Sequence, residues 1–258
     1  MATPSLLLLL ADGRFPAGAH AHSGGLEAAV AAGRVTDLAS LEAFLAGRLA
    51  TAGLVGAAFA AAAHRAAVAG TADSADPARS ARRSDTPAGS AARADAPAGS
   101  AARSAALARL DAELDARTTA PALRAVSRRQ GRALLRAGRA IWSDAPFADL
   151  PATSGGTHQP LVLGLLCAAA GLSRVETATI AAYGTLTGAA SAGVRLLGLD
   201  PYQVQTLLVG LADACDGTAA DAARAADDPP ERLPAAAAPL ADIHAEIHAT
   251  WEVRLFAS

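Results

Sequence analysis

The 258-residue chain contains no lysine, two cysteines, one methionine and only 3% aromatic residues. Each shortage narrows what the protein can be. Its 22 basic residues are all arginine and face 24 acidic ones, giving a formal net charge of −2. No overall positive field exists to gather nucleic acid or an anionic membrane. Cys167 and Cys215 stand far apart without metal-ligand spacing, so reduced, buried thiols are expected rather than a disulfide. Few aromatic and β-branched residues leave few strand formers, while hydrophobic residues, chiefly Ala, Leu and Val, reach 52%. This composition predicts an all-α protein, a single globular helical bundle of about eight to ten helices interrupted by a disordered insertion. Common catalytic patterns are missing as well: the chain has no phosphate-binding P-loop, no nucleophile elbow and no dinucleotide fingerprint. No catalytic residues and no enzymatic activity are expected.

What is present begins with a leucine run at residues 6–10. No positive charge precedes it, and Asp12 and Arg14 end it early, so a short helix in a cytoplasmic protein is expected, not a secretory leader. Residues 11–27 are then dense in Pro, Gly and His. Pro16, Gly18, Gly24 and Gly25 forbid a regular helix and shape a loop carrying His20 and His22. Ser23 is the expected N-cap of the following helix, with Glu27 favouring its dipole from the first turn. Thr36 is placed to cap a third helix, whose face carries Leu38, Leu41, Phe44, Leu45 and Leu49. The uncharged stretch 49–63 is shorter than the roughly 18 residues of a membrane span, and a buried helix is expected.

Residues 71–103 lack large apolar side chains and carry an imperfect ten-residue repeat starting at Ser80, Ser90 and Ser100. They read as a disordered insertion between residues 1–70 and 104–258 of one helical domain, the latter ending in a tail at 251–258. A helix predicted over residues 121–142 bears Arg124, Arg128, Arg132 and Arg136 on one stripe. That stripe is either a solvated face or a docking face for an acidic protein; nucleic acid is the weaker reading, since no aromatic residues are interleaved. Ser173 with Glu176, and Asp200 with Pro201, are helix-start signatures, whereas residues 216–239 read as a connector. The last helix carries His244 and His248 one turn apart, followed by Trp251 and an unusually apolar tail. The pairs His20/His22 and His244/His248 are candidate metal ligands by residue type, against the plainer reading of structural hydrogen bonding.

The leucine run, Asp12, Pro16, Gly18, the pair His22-Ser23 and the triplet Gly25-Leu26-Glu27 together resemble the N-terminal signature of the UreF family of urease accessory proteins. His20 and Gly24 depart from that signature. Later segments are similar in the family's order: Ser127 with Gly131, Arg132, Leu134 and Leu135; His158-Gln159-Pro160 through Gly164; Ala192 to Leu196; and Arg254-Leu255-Phe256 with Ser258. The resemblance implies an all-helical homodimeric scaffold without turnover. It would bind the UreD/UreH accessory protein through the tail and recruit the UreG GTPase, helping deliver nickel to apo-urease with no tightly bound cofactor of its own. By motif position it assigns partner contacts to Trp251, Arg254, Leu255, Phe256 and Ser258. It extends them to Pro16, Gly18, His22, Glu27, Arg132, His158 and Arg195. The alternative is a helical nickel carrier using His20, His22, His244 and His248.

Overall fold

A computed structural model describes residues 4–16, 21–72 and 98–256, and these are organised as helices with no strand among them. Helix α1 spans Pro4–Ala11, α2 Leu26–Ala31 and α3 Leu38–Arg48; a π-turn at Leu49–Gly53 carries α3 directly into α4, Leu54–Ala72. Then come α5 at Ala98–Arg117, α6 at Pro121–Ile141, α7 at Gln159–Ala169 and α8 at Arg174–Leu197. Helices α9 (Pro201–Gly210), α10 (Ala212–Ala225) and α11 (Pro239–Ala249) complete the order.

Helix α4 is the axis of the bundle, with α5, α7, α8 and α10 packed around it. Its sequence explains the position. A run of alanines from Ala57 to Ala63 is buried on every side, with Phe59 as the one large core side chain among them. Such a helix has no polar face to give to solvent, so the core is its stable place. Residues 38–69 are long and apolar enough to cross a membrane by length and composition, and within them Ala57 to Ala63 are buried in the bundle. Close approach needs small partners on α7. A Cβ at Gly164 would lie 2.4 Å from the Ala60 carbonyl oxygen, so α7 can sit this near only with glycine there. On the other side of α4, the Arg117 guanidinium stacks on Phe59 and gathers the carbonyls of Pro230, Glu231, Leu233 and Pro234, fixing that turn to α5.

Several helix ends follow the sequence expectations. Ser173 and Glu176 form a reciprocal capping box, and Asp200 accepts from the Tyr202 N–H at the start of α9. Others differ. Asp37, not Thr36, caps α3, because its carboxylate and the Ser40 hydroxyl satisfy each other's backbone donors. Helix α2 starts from Gly25, two residues after Ser23, although Ser23 Oγ still accepts the Glu27 N–H at 3.2 Å. The expected connector at 216–239 is helical as far as Ala225. Its buried stripe of Cys215, Ala219, Ala222 and Ala223 is built of residues small enough to lie directly on α4 and α8. Helix α5 begins at Ala98, inside the stretch expected as insertion, because Ser100 and Arg103 both reach the Asp149 carboxylate. Residues 73–97 of that expected insertion lie outside the described residues.

Candidate docking site

The two ends of the chain meet on Glu27. Its first-turn position on α2 turns the side chain inward, where both oxygens receive donors from the C-terminal segment. The Leu255 N–H reaches Oε1 at 2.8 Å and the Phe256 N–H reaches Oε2 at 3.1 Å. His248 Nε2 of α11 meets the same Oε2 at 2.8 Å. Burial by itself would raise the Glu27 pKa, but the hydrogen bonds from Leu255, His248 and Phe256 outweigh it and hold the carboxyl below its ordinary range. Helix α11 is brought to this place by a second carboxylate. Glu246 accepts the Ala122 N–H at 2.7 Å, capping the start of α6, where no local side chain does so.

The tail is therefore anchored on its inner side. Phe256 is 4% exposed and lies under the Arg195 guanidinium, 4.3 Å from its ring centre. Trp251 packs against the His248 ring at 4.8 Å. The outer side is the opposite in character: Val253 is 84% and Leu255 76% exposed, and Arg254 is exposed between them. The outward face of α11 adds Leu240, Ile243 and Ile247, all exposed. Large apolar side chains are thus exposed on both α11 and the tail, with Glu252 and Arg254 beside them, a composition that fits an interface.

The other resemblance-derived residues separate by location. Pro16 is exposed, next to the buried Phe15, and His22 is half-buried and engaged with a neighbouring group. Gly24, one of the two departures from the signature, has the Arg48 guanidinium 3.0 Å from where a side chain would begin, so the arginine occupies the space. Gly18, His20 and Ser258 lie outside the described residues.

His158 is deep in the bundle, 0% exposed, and cannot touch a partner. It terminates a buried polar cluster between α5, α6 and α7 that the sequence reading missed. Its Nε2 lies 3.0 Å from Asp115 Oδ1 and its Nδ1 3.0 Å from Ser127 Oγ. The carboxylate only accepts, so Nε2 carries the proton and Nδ1 accepts from the serine hydroxyl. Burial pushes the imidazole pKa down, against the opposing pull of Asp115. Arg128 bridges Asp111 at 3.0 Å and Asp115 at 2.7 Å, and also donates to the Gly156 carbonyl at 2.6 Å. Asp111 in turn accepts the His158 N–H, and Ser127 accepts the Gln159 N–H. Two orphan donors at the start of α7 are thus capped by side chains of other helices.

Serine, histidine and aspartate in this order match the groups of a hydrolytic triad. Here the ring is enclosed and the hydroxyl is already engaged with both His158 and the Gln159 N–H, so the arrangement holds helices together instead of presenting a nucleophile. Gly131 belongs to the same junction: a Cβ there would stand 2.1 Å from the Thr157 carbonyl oxygen.

The cluster also resolves the arginine stripe of α6. Arg124 turns to the Thr118 and Thr119 carbonyls, Arg128 is spent on the two aspartates, and Arg132 donates to the Gly155 carbonyl. Three of the four arginines make internal bonds, while Arg132 and Arg136 remain exposed, so the stripe is not one uniform face. The histidine pair of α11 is likewise divided, since His248 is committed to Glu27. Among the described residues no group of three or more His, Cys, Asp or Glu side chains could hold a metal ion.

Comparison with known proteins gives a consistent result. The UreF family model matches residues 35–212. The chain is 40% identical to the "Urease accessory protein UreF" of Mycobacterium sp. (strain JLS), over 258 residues covering all of both chains. Proteins of the same name from Mycolicibacterium vanbaalenii and Mycobacterium marinum are 39% and 41% identical, again over the full length of both chains.

Proposed function

The chain belongs to the UreF family of urease accessory proteins, and on that premise we propose that it is a non-catalytic scaffold for urease maturation. It binds the UreD/UreH accessory protein through the strip formed by α11 and the tail, recruits the UreG GTPase, and so assists transfer of nickel, as cargo, to apo-urease. It works as a homodimer in the cytoplasm. The observation that carries this reading is the two-sided tail. Phe256 and the Leu255 and Phe256 N–H groups are fastened inward on Glu27 and Arg195, leaving Val253, Arg254 and Leu255 outward and unburied. Exposed apolar side chains on a fixed backbone are ready to be covered without an ordering cost for that segment.

The carrier alternative is less well supported, because it needs His248 as a ligand and that ring is held by Glu27. Co-expression with the UreD/UreH protein tests the scaffold reading. The full chain should co-purify with it, and a chain lacking residues 251–258 should lose most of that capture. Undiminished capture by the shortened chain would remove the tail from the interface.

A further inference from the structure

Beside the Glu27 anchor the ends of the chain and two helices enclose a cavity of about 270 Å³. Its walls are mostly apolar, with Gly25 and Ala28 from the start of α2, Leu123 and Val126 from α6 and Ala245 from α11, and the His248 ring, held by Glu27, as the polar group among them. Its rim is not. Arg129 of α6 and Arg254 of the tail both line it, and both are exposed. They differ from the other arginines of this region. Arg124, Arg128 and Arg132 are consumed by internal carboxylates and carbonyls, whereas among the described residues neither Arg129 nor Arg254 is in an ion pair or side-chain hydrogen bond.

The nearby carboxylates do not neutralise them. Glu27 directs both oxygens to Leu255, Phe256 and His248, and Glu246 is turned to the Ala122 N–H. Two unpaired cations therefore stand over an apolar hollow. Exposed guanidinium groups without an internal partner favour carboxylates that they can grip with paired N–H donors. The hollow beneath is too small for a folded element and of a size for aliphatic side chains.

We infer that this cavity receives an acidic, amphipathic peptide segment of a partner protein, with a carboxylate between Arg129 and Arg254 and a neighbouring aliphatic side chain inside. The inference rests on the scaffold reading and names the chemistry of one contact within it. It also gives the inward anchoring of the tail a purpose, since Glu27 holds the two residues after Arg254 and so keeps it on the rim that Arg129 shares.

The test is a titration of the isotope-labelled full chain, followed by amide and arginine side-chain NMR. The probes are an acetylated, amidated peptide of alternating glutamate and leucine, its glutamine–leucine counterpart, and inorganic phosphate. The acidic peptide should shift the signals of Gly25, Ala245 and the Arg129 side chain. Arg129→Ala and Arg254→Gln should each weaken it by about tenfold, the scale of one charge-assisted hydrogen bond. Both side chains are solvent-exposed and bonded to nothing described, so these variants should keep the wild-type circular dichroism. Equal binding of the glutamine peptide, equal effects of phosphate alone, shifts elsewhere on the surface, or no binding of any probe would each overturn the inference. Normal capture of the UreD/UreH protein alongside any of those results would leave the scaffold reading standing. Loss of that capture by the wild-type chain would instead count against the scaffold reading.

Discussion

The carboxylate of Glu27 and the carboxylates of Asp111 and Asp115 each collect donors from distant parts of the chain, but they secure different things. Around Asp111 and Asp115 every donor belongs to a long helix or to the start of one: Arg128 on α6, and His158 leading into α7. Removing any member disturbs three packed helices at once. Around Glu27 two of the three donors are backbone N–H groups of the tail segment, outside any helix. Losing them frees the tail and little else. Similar chemistry thus serves permanence in one place and presentation in the other, and the deciding factor is how much structure lies behind each donor.

The largest expected effect lies in the inner cluster. Arg128→Ala leaves the buried Asp111 carboxylate without its cation and should cost about 3–5 kcal/mol of global stability, read as a lowered urea midpoint. Gly131→Ala follows. The added Cβ must push against the Thr157 backbone, and a loss of about 3 kcal/mol is expected in the same measurement.

Glu27→Gln should behave differently. It removes the charge from the tail anchor and should weaken docking by about 2 kcal/mol, visible as faster hydrogen exchange at Leu255 and Phe256, while the urea midpoint barely moves. A matching fall in the midpoint would show that the two clusters do not differ as argued.

Acid gives the same distinction without mutation. The folded-state pKa of Glu27 is lowered from 4.5, so its contribution is complete above the ordinary carboxylate range and disappears as pH falls through the lowered value. Protection of the Phe256 amide should therefore persist at neutral pH and drop below about pH 4, with Glu27→Gln showing no such step. The smallest effect is expected from Asp37→Ala, which removes the α3 cap at a distance from both clusters and should cost about 1 kcal/mol.

Much of this architecture is legible in the residues. The helix class follows from alanine and leucine abundance, and the capping pairs Ser173/Glu176 and Asp200/Pro201 are local signals that the structure repeats. Helix α10 was hidden because alanine and aspartate without large apolar markers look like a linker until α4 is seen to accept so thin a face. Glu27 was legible as a signature residue, yet a first-turn acid is already explained by the helix dipole. Nothing local says that its partners lie more than 200 residues away. The inner cluster has the same cause for concealment. Asp111, Asp115, Ser127, Arg128 and His158 occupy three separate segments, and the arginine stripe looked uniform because periodicity reports a face and not what lies opposite it. One clue was available: Asp111 and Asp115 are one turn apart, as are Arg124 and Arg128, which is the spacing of two helices paired through charge.

The most direct trial of the account is capture of the UreD/UreH protein by the Glu27→Gln chain, with hydrogen exchange at Phe256 followed in parallel. A folded protein with an unprotected tail is expected, with capture reduced in proportion to the loss of docking. Full capture by a chain whose tail is demonstrably released would contradict it, because the partner would then not be reading the tail in its anchored form.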